Sequence, residues 1–258
     1  MRFASLGSGS AGNALLVESV SGGRTRRLLV DCGFGPQELG KRLARLEVSV
    51  EQIDAVLVTH EHGDHIGGVA SMARRHGTAV YLTWGTLTAL PSDAFRSAKT
   101  HLVDPTAHFE VADFAVEPIA VPHDAREPVQ YVIDDGKHRL GILTDLGHGT
   151  PYVVRALSGL NALVLECNHD EELLAKGPYT AKLKQRIAGP YGHLSNLAAA
   201  QILSAIDVSR LNQVVAAHLS EQNNRADLAV SALRACGRVA PETIAVADQE
   251  GGFGWREV

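Results

Sequence analysis

The chain has 258 residues, a formal charge of −5 with histidine counted neutral, and 45% hydrophobic against 21% charged residues. That composition excludes a disordered or collagen-like chain and supplies apolar material for one large domain or two small ones. The acidic balance speaks against a bare polyanion binder, an objection that two bound divalent cations would largely remove.

Cys32, Cys167 and Cys236 are odd in number and far apart, with no C-x-x-C, so neither a disulfide framework nor a cysteine zinc site is indicated. The start, MRFASLGSGS, lacks the basic segment and apolar run of a signal peptide. No stretch reaches the ~18 apolar residues of a membrane span, so a cytoplasmic protein with no membrane partner is expected.

In chain order, Gly7-Ser8-Gly9-Ser10-Ala11-Gly12 satisfies G-x-G-x-x-G, and Asp31 comes 19 residues later. A dinucleotide fingerprint requires a helix to open at those glycines. The next residues, NALLVESVSGG, are instead an apolar run broken by a Gly-Gly turn, a pattern of strand and hairpin. The loop is still suited to an anion-binding nest, which makes Ser8, Ser10 and Asn13 candidate substrate-binding residues.

Strand patterns occupy 15–18, 27–30, 55–59, 79–83, 114–121, 130–134, 139–144, 162–166, 214–217 and 243–247. Helices are expected from Pro36 through Leu39, Leu43 and Leu46, from Ile66 through Ala73 with Asp64 as cap, over 195–206 with Ser195 as cap, and over 226–235. Hairpins mixed with helices favour sheets flanked by helices, and the absence of a repeat or linker favours one domain.

The stretch VTHEHGDHIGG, 58–68, packs three histidines, an aspartate and a glutamate into positions 60 to 65. His60 and His62, two apart, share one side of extended backbone. Asp64 and His65 sit at a helix entrance, where they reach a second ion beside the first. Five apolar runs end in a metal-ligand type of side chain: His60, His123, Asp145, His169 and His218. If those strands are parallel neighbours, such ends gather at one sheet edge, where active sites commonly form. His76, His101, His108, His138 and His148 show no such arrangement and are expected at the surface.

HEHGDH, then His123 in VPHDA, Asp145 in LTDLG and a distant His218 together resemble the metallo-β-lactamase superfamily. SLGSGSAGN, ECNHD, GHLSN and HLSEQNN are similar to its WalJ/YycJ-like nuclease subgroup, with ribonuclease Z and the phosphodiesterase PhnP more distant. The resemblance covers essentially the whole chain. It implies an α/β fold, an αββα sandwich, and two divalent metal ions. His60, His62 and His123 would hold one ion, Asp64, His65 and His218 the other, with Asp145 bridging.

Imidazole and carboxylate ligands suit zinc or manganese, and also iron. Two such cations lower the pKa of a shared water and hold both oxygens of an in-line displacement; Asp64 would orient the attacking hydroxide. His193 in GHLSN resembles the proton-donating histidine of ribonuclease Z, with His169 as second candidate. Ser220, Asn223 and Asn224 either bind phosphate or shape the loop behind His218.

Between 175 and 190, Lys176, Lys182, Lys184 and Arg186 stand without an acid, either as a phosphate-binding run or as a solvated helix face, and Tyr179 and Tyr191 flank them as possible base-stacking platforms. The resemblance implies a metal-dependent nuclease, an exonuclease acting 5′ to 3′ on DNA rather than RNA. The alternatives are hydrolysis of a small phosphodiester, thioester or lactone, or a non-catalytic metal-binding regulatory role. Di-iron redox relatives usually carry Glu where this chain has His62.

Overall fold

A computed structural model describes residues 1–258. Two seven-stranded sheets form its centre. The first runs in the order β14 (Phe253–Glu257), β1 (Arg2–Gly7), β2 (Ala14–Ser21), β3 (Arg24–Val30), β4 (Ala55–Leu57), β5 (Ala79–Thr83), β6 (Thr100–Val103). The second runs β13 (Ile244–Val246), β12 (Gln213–Ala217), β11 (Ala162–Glu166), β10 (Arg139–Leu143), β9 (Val129–Asp134), β8 (Phe114–Ala120), β7 (Phe109–Val111).

Strand alternation decides the layers. In β11, Ala162 and Val164 face the first sheet, joining Phe3, Val17, Leu28, Leu57 and Tyr131 in the core between the sheets. Leu163 and Leu165 face outward, onto α5 (Pro151–Ala156), α8 (Asn196–Ala205) and α9 (Ala226–Ala235) through Val153, Leu203 and Leu233. On the other side Leu16, Leu29, Val56 and Val80 pack against α1 (Pro36–Ala44) and α3 (Val69–His76) through Leu39, Leu43 and Met72. Three apolar layers between four structural layers make an αββα sandwich. At about 25 cal/mol per Å² of apolar surface buried, these layers are the main source of stability.

The Gly22-Gly23 turn joins β2 to β3 with both glycines at positive φ (56° and 77°), as a tight right-twisted hairpin requires. Ser195 caps α8, its Oγ accepting from Ala198 N at 3.2 Å. The expected cap at Asp64 is corrected. Residues 63–76 hold two helices, α2 (Gly63–Ile66) and α3, broken where Gly68 packs against the backbone of Phe34. Asp64 lies inside α2, and its carboxylate turns inward.

The short strands β6, β7 and β14 and the short helices α4 (Trp84–Ala89), α5, α6 (Glu171–Lys176) and α7 (Ala181–Ile187) lie outside the patterns expected from sequence. Three to seven residues are too few to show a period.

Strands β10 to β13 run parallel, and β8 shares their direction because β9 is antiparallel to both of its neighbours. In the first sheet β3 to β6 are parallel. The carboxyl ends of both sets meet at one rim, tied by Tyr131 OH donating to Val58 O at 2.8 Å and Val129 N to Thr59 O at 3.0 Å.

Candidate metal centre

Each ligand-type side chain leaves a strand end at this rim. Asp31 follows β3, His60 follows β4, His123 follows β8, Asp145 follows β10, Glu166 ends β11 and His218 follows β12. Asp31, Asp145 and His218 have left-handed φ of 60°, 56° and 55°, rare for residues with a Cβ and typical of strained functional positions.

The side chains form overlapping clusters. One ligand atom each from His60, His62 and His123 lies within 4.8 Å of the others, and the same holds for Asp64, His65 and His218. His60, His65 and Asp145 form a third set across the two, and Asp145, Glu166, His193 and His218 a fourth.

Hydrogen bonds sort the nitrogens. A carboxylate or carbonyl oxygen only accepts, so His65 Nδ1 donates to Asp31 Oδ2 (2.7 Å), His123 Nδ1 to Gly192 O (3.0 Å), and His218 Nδ1 to Glu166 Oε1 (3.2 Å). His60 Nδ1 pairs with the Thr59 hydroxyl at 2.9 Å. The Nε2 atoms of all four rings face the cluster, the usual way imidazoles are oriented for a metal; those of His60 and His123 are lone-pair donors, while those of His65 and His218 face Asp145 Oδ2 at 2.8 Å and Asp64 Oδ2 at 3.5 Å. Among the buried atoms without a hydrogen-bond partner are His60 Nε2 and His218 Nε2. His62 Nδ1 and His123 Nε2 face each other at 3.3 Å. Convergent, unsatisfied lone pairs of this kind fit a cation.

Charge differs across the cluster. Burial lowers the pKa of His60 and His123, keeping them neutral. Burial also opposes charge on His65 and His218, but Asp145, with Asp31 beside His65 and with Asp64 and Glu166 beside His218, outweighs it; His65 moves well up and His218 to about 9. Asp64 and Asp145 are held below the usual carboxylate range by these same imidazoles, against burial. The protons stand where a cation would supply the charge.

A profile of the beta-lactamase superfamily domain matches residues 26–219. The chain belongs to the beta-lactamase superfamily. Within the superfamily it is 32% identical over 232 residues to "Exodeoxyribonuclease WalJ" of Streptococcus pneumoniae, covering 88% of this chain and 85% of that one. It is 34% identical over 233 residues to "Exodeoxyribonuclease YycJ" of Bacillus anthracis, covering 89% and 86%. The crystal structure of Zn(2+)-bound PqqB from Methylobacterium extorquens shares the fold over 100% of both chains, with a TM-score of 0.72 at 18% identity. The metallo-β-lactamase resemblance and its WalJ/YycJ-like features are borne out, and the superfamily fold with this His/Asp set is an arrangement for divalent metal.

Against the superfamily pattern, several expectations need correction. The glycine loop is no open anion nest, because its amides are already used: Gly9 N donates to Asn13 Oδ1 (2.8 Å) and Ala11 N to Gln249 Oε1 (2.6 Å). Ser8 is buried, its Oγ accepting from His218 N at 2.8 Å, and buried Asn13 reaches Asp64 Oδ2 at 3.2 Å and His65 Nε2 at 3.1 Å. Both hold ligand-type residues in place rather than face a substrate; Ser10 is exposed at the loop tip.

Asn223 and Asn224 are buried. Asn223 bonds to Ser220 Oγ, while Asn224 pairs its amide reciprocally with Asn196 and donates to Cys167 O. Both asparagines are used inside the loop behind His218, where Ser220 N also donates to Asn168 O at 2.8 Å.

His169 is 2% exposed, its ring forms no hydrogen bond to the cluster, and burial lowers its pKa, so it suits neither substrate contact nor proton donation. The side chain that enters the site from this strand is Glu166. It is fully buried and accepts from His193 Nδ1 (2.8 Å), His218 Nδ1, Leu146 N (2.9 Å) and Leu194 N (3.1 Å). Asp31 and Glu166 are the functional residues that sequence reasoning missed. Each had one signal, a lone acid closing an apolar strand.

The basic run is less free than its sequence suggests. Arg186 donates to Asp124 Oδ2 at 2.5 Å, Lys176 pairs with Glu172 at 2.9 Å and Lys184 donates to Ala175 O at 2.6 Å.

Proposed function

We propose that this superfamily member is a metal-dependent exonuclease that degrades DNA from 5′ to 3′ in the cytoplasm. The observation that carries the reading is the closure of two ligand triads on the shared carboxylate of Asp145, with His193 beside it. The exodeoxyribonuclease relatives, aligned over most of the chain, supply the substrate class.

In this reading His60, His62 and His123 would hold one ion and Asp64, His65 and His218 the other, zinc or manganese, with the Asp145 carboxylate facing a histidine of each set. Bound there, two such ions supply Lewis acidity to the phosphoryl oxygens and lower the pKa of water toward neutrality. The fourth cluster is no separate ligand set, because the Nδ1 atoms of His193 and His218 both donate to Glu166 and carry protons.

The chain's own residues do the rest. Asp64, its side chain 24% exposed and steadied by Asn13, orients the attacking oxygen. His193, 22% exposed, is opposed by burial, but Glu166 and Asp145 raise its pKa well above the ordinary value, leaving it protonated. It is the donor to the leaving alkoxide, and Glu166 fixes its ring.

The test uses 5′- and 3′-labelled duplex and single-stranded DNA with Mn(II) or Zn(II). Wild-type protein is expected to release nucleotides from the 5′ end, while His60→Ala and Asp145→Ala do not. His193→Ala should lower turnover by about 10²- to 10⁴-fold with metal content intact. The reading falls if metal-loaded protein leaves DNA whole yet hydrolyses bis(p-nitrophenyl) phosphate.

A further inference from the structure

One five-residue loop, 124–128, is bound on three sides at the rim. Arg126 N donates to Glu61 Oε1 at 2.8 Å, pinning the loop to the residue between His60 and His62. Gly85 N donates to Glu127 Oε2 at 2.7 Å and Thr83 Oγ1 to Glu127 O at 2.9 Å, so the first turn of α4 is fastened to the loop's far end. Gly85 has no room for a Cβ against Glu127, which makes that contact close. At the loop's near end, Asp124 N donates to Tyr191 O at 3.0 Å.

Two aromatic side chains stand out at these attachments. Trp84 is 61% exposed and Tyr191 59% exposed. Single exposed apolar residues are ordinary. Two of the large aromatics in a chain with 5% aromatics, fastened to the two ends of one loop that begins beside His123, are not. Trp84 also follows β5, the parallel neighbour of β4, the strand that leads to His60. The other tryptophan, Trp255, is engaged elsewhere, donating to Leu46 O at 3.4 Å beneath Arg2.

Cations accompany the rings. The exposed Arg126 has no side-chain partner, and Arg186 is tied to the loop through Nε alone, leaving its terminal nitrogens free of protein. The carboxylates of Glu61, Asp124 and Glu127 are each used in the contacts above. Flat rings, the unpaired guanidinium of Arg126 and the spare terminal nitrogens of Arg186, all attached to one loop, match a strand with unpaired bases and regular phosphates.

We propose that the 124–128 loop organises a single-strand clamp, in which Trp84 and Tyr191 stack on unpaired bases and Arg126 and Arg186 hold the neighbouring phosphates. This rests on the nuclease reading for its substrate, and the paired bases of a duplex would have to separate to enter it.

The test measures binding apart from cleavage. Anisotropy with a labelled phosphorothioate oligo(dT) and with an abasic strand of equal length should show roughly tenfold tighter binding of oligo(dT). Trp84→Ala and Tyr191→Ala should each remove most of that preference, Trp84→Phe should keep it, and all should bind the abasic strand as wild type does. In Trp255→Phe, where Trp84 is the sole tryptophan, oligo(dT) should quench the fluorescence and the abasic strand should not.

Equal wild-type affinity for the two strands, or an unchanged preference in Trp84→Ala, overturns the clamp. Base-dependent binding without release of nucleotides from ordinary DNA would keep the clamp and overturn the nuclease reading.

Discussion

The two halves of the metal centre are built from different material. His60, His62 and His123 are backed by neutral groups, the Thr59 hydroxyl and the Gly192 carbonyl, and the His62 side chain is 29% exposed. Asp64, His65 and His218 are backed by two buried carboxylates, Asp31 and Glu166. An imidazole donating to a carboxylate is a more basic ligand than one donating to a carbonyl. If each half takes an ion, the mixed half is expected to hold it more tightly than the all-histidine half.

The largest expected effects come from removing ligands. Asp145→Ala should empty both halves and reduce nuclease activity to background, whereas His62→Ala should leave one ion per chain, counted by mass spectrometry after gel filtration. Loss of both ions in His62→Ala would show that the halves do not bind independently.

A smaller effect is expected one bond further out. Asp31→Asn should weaken only the tighter of two metal-binding constants, by about 10- to 100-fold, in a calorimetric titration. Weakening of the looser constant instead would reverse the order of the halves.

The smallest effect is a change in thiol access. Each backing carboxylate precedes a buried cysteine, Cys32 or Cys167. Burial, with the adjacent Asp31, pushes the Cys32 thiol up to about 12, and burial with Glu166 raises Cys167 as well. A thiol with a raised pKa stays protonated below that value, and the thiolate is the nucleophile. At pH 8 iodoacetamide should label Cys236 alone in metal-loaded protein. Chelation should add slow labelling at Cys32 and Cys167 as the mixed half loosens; immediate labelling with metal bound would mean that half is not rigid.

Much of this centre is legible because the relevant signals are local. His60, His62, Asp64 and His65 lie in one short stretch, and His123, Asp145 and His218 each end an apolar run. Periodicity finds the long strands and the helices over 36–44 and 226–235, and misses β6, β7 and β14, which are edge strands or short. Asp31 stands in the sequence as the acid of a false dinucleotide fingerprint. On β11 the apolar run leads three residues too far, to His169, because histidine is the commoner ligand and Glu166 sits inside the strand.

The order of ligand residues along the chain and the alternation that sorts each strand's side chains between two layers are properties of the sequence alone. Which oxygen backs which imidazole is not. Asp31 and His65 are 34 residues apart, and Glu166 and His218 are 52 apart. Their contacts exist only because two sheets bring the carboxyl ends of their strands to one rim. The same closure took Asn13, Ser8 and Asn224 out of reach of solvent and fastened the segments that carry Trp84 and Tyr191 to the two ends of one loop. Spacing encodes which side of its own element a residue faces; contacts between distant elements are settled by packing, which no local pattern records.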